Sequence, residues 1–176
     1  MKAIIFLLFI SFSIQLLYAQ NANFVWAKQM GGATGICYGG AVAVDATGNV
    51  YTTGMFNGTV DFDPGPAVYN LIGSSAVDIY ISKLDLLGNF VWAKQISGLG
   101  ENFSNSIALD VNGNVYITGR FQFTVDFDPG PGIYNLTSIT WTDFFICKLD
   151  PSGNFIWAKQ FGQWAVDCGN YLDLDN

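Results

Sequence analysis

The sequence predicts an all-β chain made of a tandem repeat of four antiparallel strands, and three observations predict it. First, one long stretch occurs twice. Gly48-Asn49-Val50-Tyr51 leads through Thr59-Val60-Asp61-Phe62-Asp63-Pro64-Gly65-Pro66 to Phe90-Val91-Trp92-Ala93-Lys94-Gln95, and Gly113-Asn114-Val115-Tyr116 leads through the same motifs to Phe155-Ile156-Trp157-Ala158-Lys159-Gln160. The offset is 113 − 48 = 65 residues and is still 157 − 92 = 65 at the tryptophans. Second, each copy is cut into short apolar runs by Gly/Asn turns, the punctuation of β-hairpins. Third, the 20 glycines, the 16% aromatic content and only 12% charged residues suit many short strands joined by tight turns.

The first residues are an address. Met1-Lys2 is a short basic start, residues 3–17 are apolar apart from Ser11, Ser13 and Gln15, and Leu17-Tyr18-Ala19 ends on a small residue. Residues 1–19 therefore read as a secretory signal peptide, too short for a membrane span. Gln20 rather than Cys follows the cut, so no lipid anchor is expected. The expected location is secreted, extracellular or at the cell surface, with no membrane span after removal of the signal.

The remaining chain, residues 20–176, is the repeat region. Asn23–Gln29 copies the strand at 89–95 but has nothing before it to pair with. The first four-stranded unit, residues 40–95, has strands at 40–45, 50–56, 78–85 and 90–95. Its long connection at 58–77 carries Asp-Phe-Asp-Pro-Gly-Pro. The second, residues 106–160, repeats this, and Tyr171-Leu172-Asp173-Leu174-Asp175 begins a third. Several strands, such as Val-Tyr-Ile-Thr-Gly-Arg-Phe at 115–121, are apolar on both faces, as in sheets covered on both sides. Four-stranded sheets stacked face to face are the blades of a β-propeller. The small residues Ala41, Ala43, Ser106 and Ala108 suit the crowded axis, and the Trp of each fourth strand suits the wide rim. A β-sandwich of two duplicated halves competes, but leaves the third copy unexplained.

At Asp-x-x-Gly-Asn-Val-Tyr-x-Thr-Gly, Val-Asp-Phe-Asp-Pro-Gly-Pro, Lys-Leu-Asp-x-x-Gly-Asn-Phe and Trp-Ala-Lys-Gln the chain resembles the SBBP β-propeller repeats of secreted bacterial proteins. The resemblance covers nearly all of residues 23–176. It implies a seven-bladed propeller in a secreted or surface protein of the Bacteroidetes type, often large and often ending in a type IX sorting domain, which residues 1–176 do not contain. Two full blades with flanking strands read as an incomplete propeller, a fragment whose partners include the remaining blades. The family implies a fold and not an activity.

Composition narrows the chemistry. The formal charge is −7, with no His, six lysines and one arginine. That excludes the commonest general base, and makes nucleic acid an unsuitable partner, because phosphate binding needs clustered cations. Three cysteines, Cys37, Cys147 and Cys168, read as free thiols; Cys37, Phe103 and Cys168 each lie 11 residues after a repeat Trp. Residues present in every repeat are expected to hold the blade together: Asp45/Asp110/Asp175 as turn caps, Trp26/Trp92/Trp157 as packing, and Lys28/Lys94/Lys159 and Lys83/Lys148 as partners of aspartates.

Asp61-Phe62-Asp63 and Asp126-Phe127-Asp128 are the sharpest polar motifs. Asp61, Asp63, Asp126 and Asp128 offer carboxylates two apart on a loop, a possible Ca²⁺ site, although Ca²⁺ takes roughly six to eight oxygens. The alternative is an Asx turn before Pro-Gly-Pro. No cofactor is otherwise expected. In an up-and-down blade the long connections share one face, the better binding surface. Residues there that break the repeat are the candidates for a protein or carbohydrate ligand: Tyr38, Glu101, Phe103, Gln122, Trp141 and Trp164. The expected function is a non-catalytic extracellular structural or binding module. The alternative is a piece of a propeller polysaccharide hydrolase or lyase whose active residues lie in other blades.

Overall fold

In the computed structural model of the chain, residues 24–32, 34–74, 76–162 and 167–175 are described. The predicted signal segment, Asn23 and Trp164 lie outside them. All regular elements among the described residues are strands: β1 (Ile36–Val44), β2 (Val50–Asn57), β3 (Thr59–Asp61), β4 (Asn70–Ile72), β5 (Asp78–Leu84), β6 (Phe90–Gly98), β7 (Phe103–Leu109), β8 (Val115–Phe121), β9 (Thr124–Asp126), β10 (Asn135–Thr137), β11 (Asp143–Leu149) and β12 (Phe155–Phe161). No helix among them is long and apolar enough to cross a membrane.

The two expected blades are present as antiparallel meanders, β1-β2-β5-β6 and β7-β8-β11-β12. Four tight turns build them, after Asp45, Asp85, Asp110 and Asp150. In each, a glycine at positive φ (Gly48 87°, Gly88 77°, Gly113 76°, Gly153 79°) donates its N–H back to the carbonyl of that Asp. The left-handed conformation is one that only glycine adopts at little cost.

Three local expectations are corrected. The inner strands begin at Ile36 and Phe103 rather than at 40 and 106. Bulges at Gly39/Ala41 and Ser104/Ser106 interrupt the alternation from which the boundaries were drawn. The long connections are not plain loops: each folds into a small hairpin, β3-β4 or β9-β10. The register also pairs Tyr38 with Met55 as it pairs Phe103 with Arg120, so Tyr38, and not Cys37, is the counterpart of Phe103. All three cysteines are free thiols.

The expected flanking strands at 23–29 and 171–176 form no ladder where they are described, and among the described residues no second and third strands lie beside them. They nevertheless dock as their counterparts in whole blades do. Trp92 Nε1 donates to Pro151 O at 3.3 Å, and Trp26 Nε1 donates to the equivalent Leu86 O at 3.0 Å. Ser97 pairs with Asp126, and Gly31 with Asp61. At the other end Asn102 N donates to Val77 O, and Asp167 N to Thr142 O. Residues 24–31 thus occupy the place of a preceding blade's outer strand. Residues 167–175 occupy that of a following blade's inner strand.

The larger core cluster lies between the blades. It joins Tyr51, Ile79, Ile81 and Ile96 of the first to Ile107, Val115, Ile117, Phe121 and Phe145 of the second. A second cluster, Phe56, Val60, Phe62, Tyr80 and Ala93, lies on the other side of the first blade, where Met30 packs against it. The hairpins seal these clusters. Phe62 and Phe127 are fully buried against the Phe56/Tyr80 and Phe121/Phe145 pairs. β9 also pairs with the end of β6, tying one blade to the next.

Candidate functional site

The polar residues common to both repeats are engaged in the turns. Asp45 Oδ1 accepts from Thr47 N (2.9 Å), Thr47 Oγ1 (2.7 Å) and Asn49 N (3.0 Å), while Oδ2 accepts from Asn49 Nδ2 (2.8 Å). Asp110 is held in the same way by Asn112 and Asn114, and lies 3.4 Å from Lys148 Nζ. Partial burial acts to raise the Asp110 pKa. The bonds from Asn114, from Asn112 N–H and from Lys148 outweigh it and bring the pKa down to about 2. Burial opposes the lowering at Asp45 too, and donors from Asn49 and Thr47 again prevail, holding that carboxyl well below its usual range.

A lowered folded pKa stabilises above the unfolded value of about 3.9, and the stabilisation is lost as pH falls through the folded value. The melting temperature is therefore expected to hold from neutral pH to about 5 and to fall between about 4 and 2. Asn114→Ala should shrink that acid-dependent fall; an unchanged acid limb in thermal melts would contradict the assignment.

The Asp-Phe-Asp loops use their carboxylates similarly. Asp61 Oδ1 accepts from Asp63 N (3.0 Å) and Tyr69 N (2.8 Å), and Asp63 Oδ1 accepts from Gly65 N (2.7 Å). Asp126 and Asp128 repeat the pattern with Asp128 N, Tyr134 N and Gly130 N. The geometry is that of Asx turns closing each hairpin. Among the described residues no three His, Cys, Asp or Glu side chains converge as a metal site.

One repeated carboxylate differs between blades. Asp78 is fully buried and accepts from Ser74 N (2.6 Å), from Ser74 Oγ at both oxygens, and from Gln95 Nε2 (2.8 Å). Its counterpart Asp143 is equally buried and accepts from Ile139 N and Gln160 Nε2 at Oδ2, but Oδ1 has no hydrogen-bond partner among the described residues. The cause is the exchange of Ser74 for Ile139 (139 − 74 = 65). Ile139→Ser should supply the missing donor and stabilise the chain by about 1–2 kcal/mol, since a buried acceptor without a donor is costly. A lowered urea midpoint would contradict this.

The residues that break the repeat gather on the long-loop face, where β2, β6, β8 and β12 end. Tyr38 lines a small pocket of about 70 Å³ with Ile36, Met55, Phe56, Asn57 and Val77. Val77 forms a bridge with Glu101. Glu101 N donates to Gln122 Oε1 at 3.2 Å. Beside Gln122, Phe123 forms a cleft of about 420 Å³ with Thr140 and Trp141. Tyr38 and Glu101 are thus linked through Val77, and Gln122 and Trp141 through Phe123, in a line across both blades. Phe103 turns to a separate role, its ring 4.4 Å from the Arg120 guanidinium, which also reaches Cys168 Sγ. Sequence reasoning missed Phe123, although its signal was available: it stands where the first repeat has Gly58 (123 − 58 = 65).

The repeated Trp and Lys residues have packing roles. Besides the indole bonds above, Trp92 meets Tyr51 edge to face and Trp157 meets Tyr116. Lys83 and Lys148 lie over the rings of Tyr51 and Tyr116.

Comparison with known proteins agrees with this geometry. The family profile described as SBBP, a β-propeller repeat, matches residues 25–60 and 91–120. An uncharacterized WD repeat-containing protein of Acanthamoeba polyphaga mimivirus is 32% identical over an alignment of 144 residues that covers 77% of this chain and 10% of that protein. The chain therefore spans about a tenth of that relative's length.

Proposed function

Two segments of this chain are β-propeller repeats of the SBBP type, and from that premise we propose that it serves outside the cell as a non-catalytic binding module, its ligand held on the long-loop face. The observation that carries the reading is the line Tyr38–Glu101–Gln122–Trp141. These side chains differ from their counterparts in the other repeat, whereas the shared carboxylates are occupied by the chain's own turns. Loops held by a rigid sheet are free to vary, and specificity arises there.

The test is a binding screen of the full chain against peptide and polysaccharide libraries, run beside a variant carrying Tyr38→Ser, Glu101→Gln, Gln122→Ala and Trp141→Ala. A ligand retained by the parent and lost by the variant, without chemical change to that ligand, is the expected result. Release of shortened or unsaturated sugar products would favour the hydrolase or lyase reading. Retention unaffected by the four substitutions would remove the face from consideration. The extracellular address predicts a mature N-terminus at Gln20, which mass spectrometry of the exported protein reads directly.

A further inference from the structure

From the cleft at the end of the second blade we infer a carbohydrate subsite in which Phe123 and Trp141 stack on a neutral pyranose and Gln122 and Glu101 receive its hydroxyls. The inference rests on the binding role proposed above.

The first argument is strain. Among the described residues Phe123 is the one non-glycine at positive φ (58°), and its counterpart Gly58 has φ 66°. A bulky aromatic in this region is an outlier that persists only when something else requires it. The hairpin sets the backbone, with Phe123 N–H donating to Ser138 Oγ and Ser138 N–H to Phe123 O, both at 2.9 Å, as Gly73 N–H donates to Gly58 O in the first blade; nothing in that turn calls for a ring, which is half exposed. The strain holds an apolar ring in water.

The second argument is coincidence of changes. Relative to the first repeat, Phe123 replaces Gly58, Trp141 replaces Ala76 and Ile139 replaces Ser74, all on one face of one blade. Trp141 is 76% exposed and Ile139 66%. The first blade has small residues at all three positions and the second has large apolar ones.

The third argument is chemistry. A pyranose has C–H faces that suit aromatic rings and a rim of hydroxyls that suit amides and carboxylates. The cleft of about 420 Å³ lies within the ordinary range for small-ligand sites, roughly 300–1,000 Å³. Its polar edge is adjacent. A Cβ built on Gly100 would stand 2.8 Å from the Phe123 ring and 2.9 Å from Gln122 Cβ, so Gln122 and Phe123 both lie against the Gly100 backbone, one residue before Glu101. The Glu101 N–H fixes the oxygen side of the Gln122 amide. Glu101 is the one charged side chain of this group, on a chain of net charge −7, so the site disfavours polyanions and fits an uncharged glycan. A protein anchor residue, by contrast, seeks a deep, dry pocket, and this cleft is open.

The experiment is isothermal titration of the full chain with neutral hexaoses based on glucose, xylose, mannose and galactose. One series is expected to bind saturably. Trp141→Ala and Phe123→Gly should each weaken it by about tenfold, the cost of losing one stacking ring, while Val111→Ala, exposed on the opposite, tight-turn face, leaves it within about twofold. Phe123→Gly should also hold or raise the melting temperature, because it restores the residue type of the first blade. Loss of several degrees would show that Phe123 serves the fold, and would overturn the inference. So would saturable binding unchanged by both ring substitutions, or no saturation with any hexaose. If no hexaose binds while a peptide ligand is lost on substituting this face, the carbohydrate assignment falls and the binding role stands. If no face substitution affects any ligand, both fall.

Discussion

Phe127→Ala is expected to destabilise the chain by about 3–5 kcal/mol, the range for emptying a buried aromatic site. Phe127 is fully buried, with ring centroids 5.3 Å from Phe121 and 4.8 Å from Phe145. Its position keeps the site from collapsing. It projects from the β9-β10 hairpin into a blade whose two contacting strands, β8 and β11, are fixed by their own ladder. The same hairpin pairs with Ser97 and Gly98 of the preceding blade. Losing the ring therefore loosens both the blade and its joint to its neighbour. Urea denaturation of Phe127→Ala and Phe62→Ala measures this; the larger penalty belongs to Phe127, which sits in the cluster shared by both blades. A penalty below about 1 kcal/mol would mean that the hairpin does not seal the core.

Gly119→Ala has the second largest expected effect, about 2–3 kcal/mol at the upper end of overpacking. In a strand interior Ala normally improves on Gly by about 0.5–1 kcal/mol. Here the sign is reversed by a backbone contact, because the added Cβ would lie 1.9 Å from Phe103 O and 2.9 Å from Ser104 Cα. Neither atom belongs to a flexible side chain, so the bulged β7 must move as a unit. A Cβ added to Gly54 would meet Tyr38 O in the same way. Gly39, whose nearest contact is Tyr80 Oη at 3.8 Å, is the control, and Gly39→Ala should fall within about 0.5 kcal/mol of the parent. Equal denaturation midpoints for Gly119→Ala and Gly39→Ala would refute the steric argument.

The eight long strands were legible because each lies between an Asp-x-x-Gly-Asn type turn and a run of alternating or doubly apolar residues. The hairpins were not. Three-residue strands such as Thr59–Asp61 are too short for periodicity to register, and their pairing is decided by the burial of Phe62 and Phe127. Bulges were equally silent, since one extra residue in β1 and β7 shifts register without changing composition. At the candidate site, Tyr38, Glu101, Gln122 and Trp141 could be found as departures from the repeat. Phe123 escaped because a hydrophobic residue in a β-rich sequence draws no notice. The repeat offset sets it opposite Gly58, and its backbone conformation shows why that exchange matters. Phe103 was legible as a departure too, but sequence could not foresee that Arg120, directly across the ladder, would take its ring.

The docking of residues 24–31 on the first blade has a consequence for how such a chain is made. Trp92 finds its acceptor only when Pro151 arrives, 151 − 92 = 59 residues later, and Trp26 likewise waits for Leu86. During synthesis every outer strand leaves the ribosome well before the blade that will receive its indole. The newest finished sheet therefore always presents one uncovered flank, which closes only as the next sheet is completed. The two family matches begin at residues 25 and 91, on the outer strands, and run into the sheet that follows. Each match thus joins an outer strand to the first two long strands of the sheet that follows. A cut just before an outer strand would keep that strand and the following sheet together, whereas a cut just after one would part them.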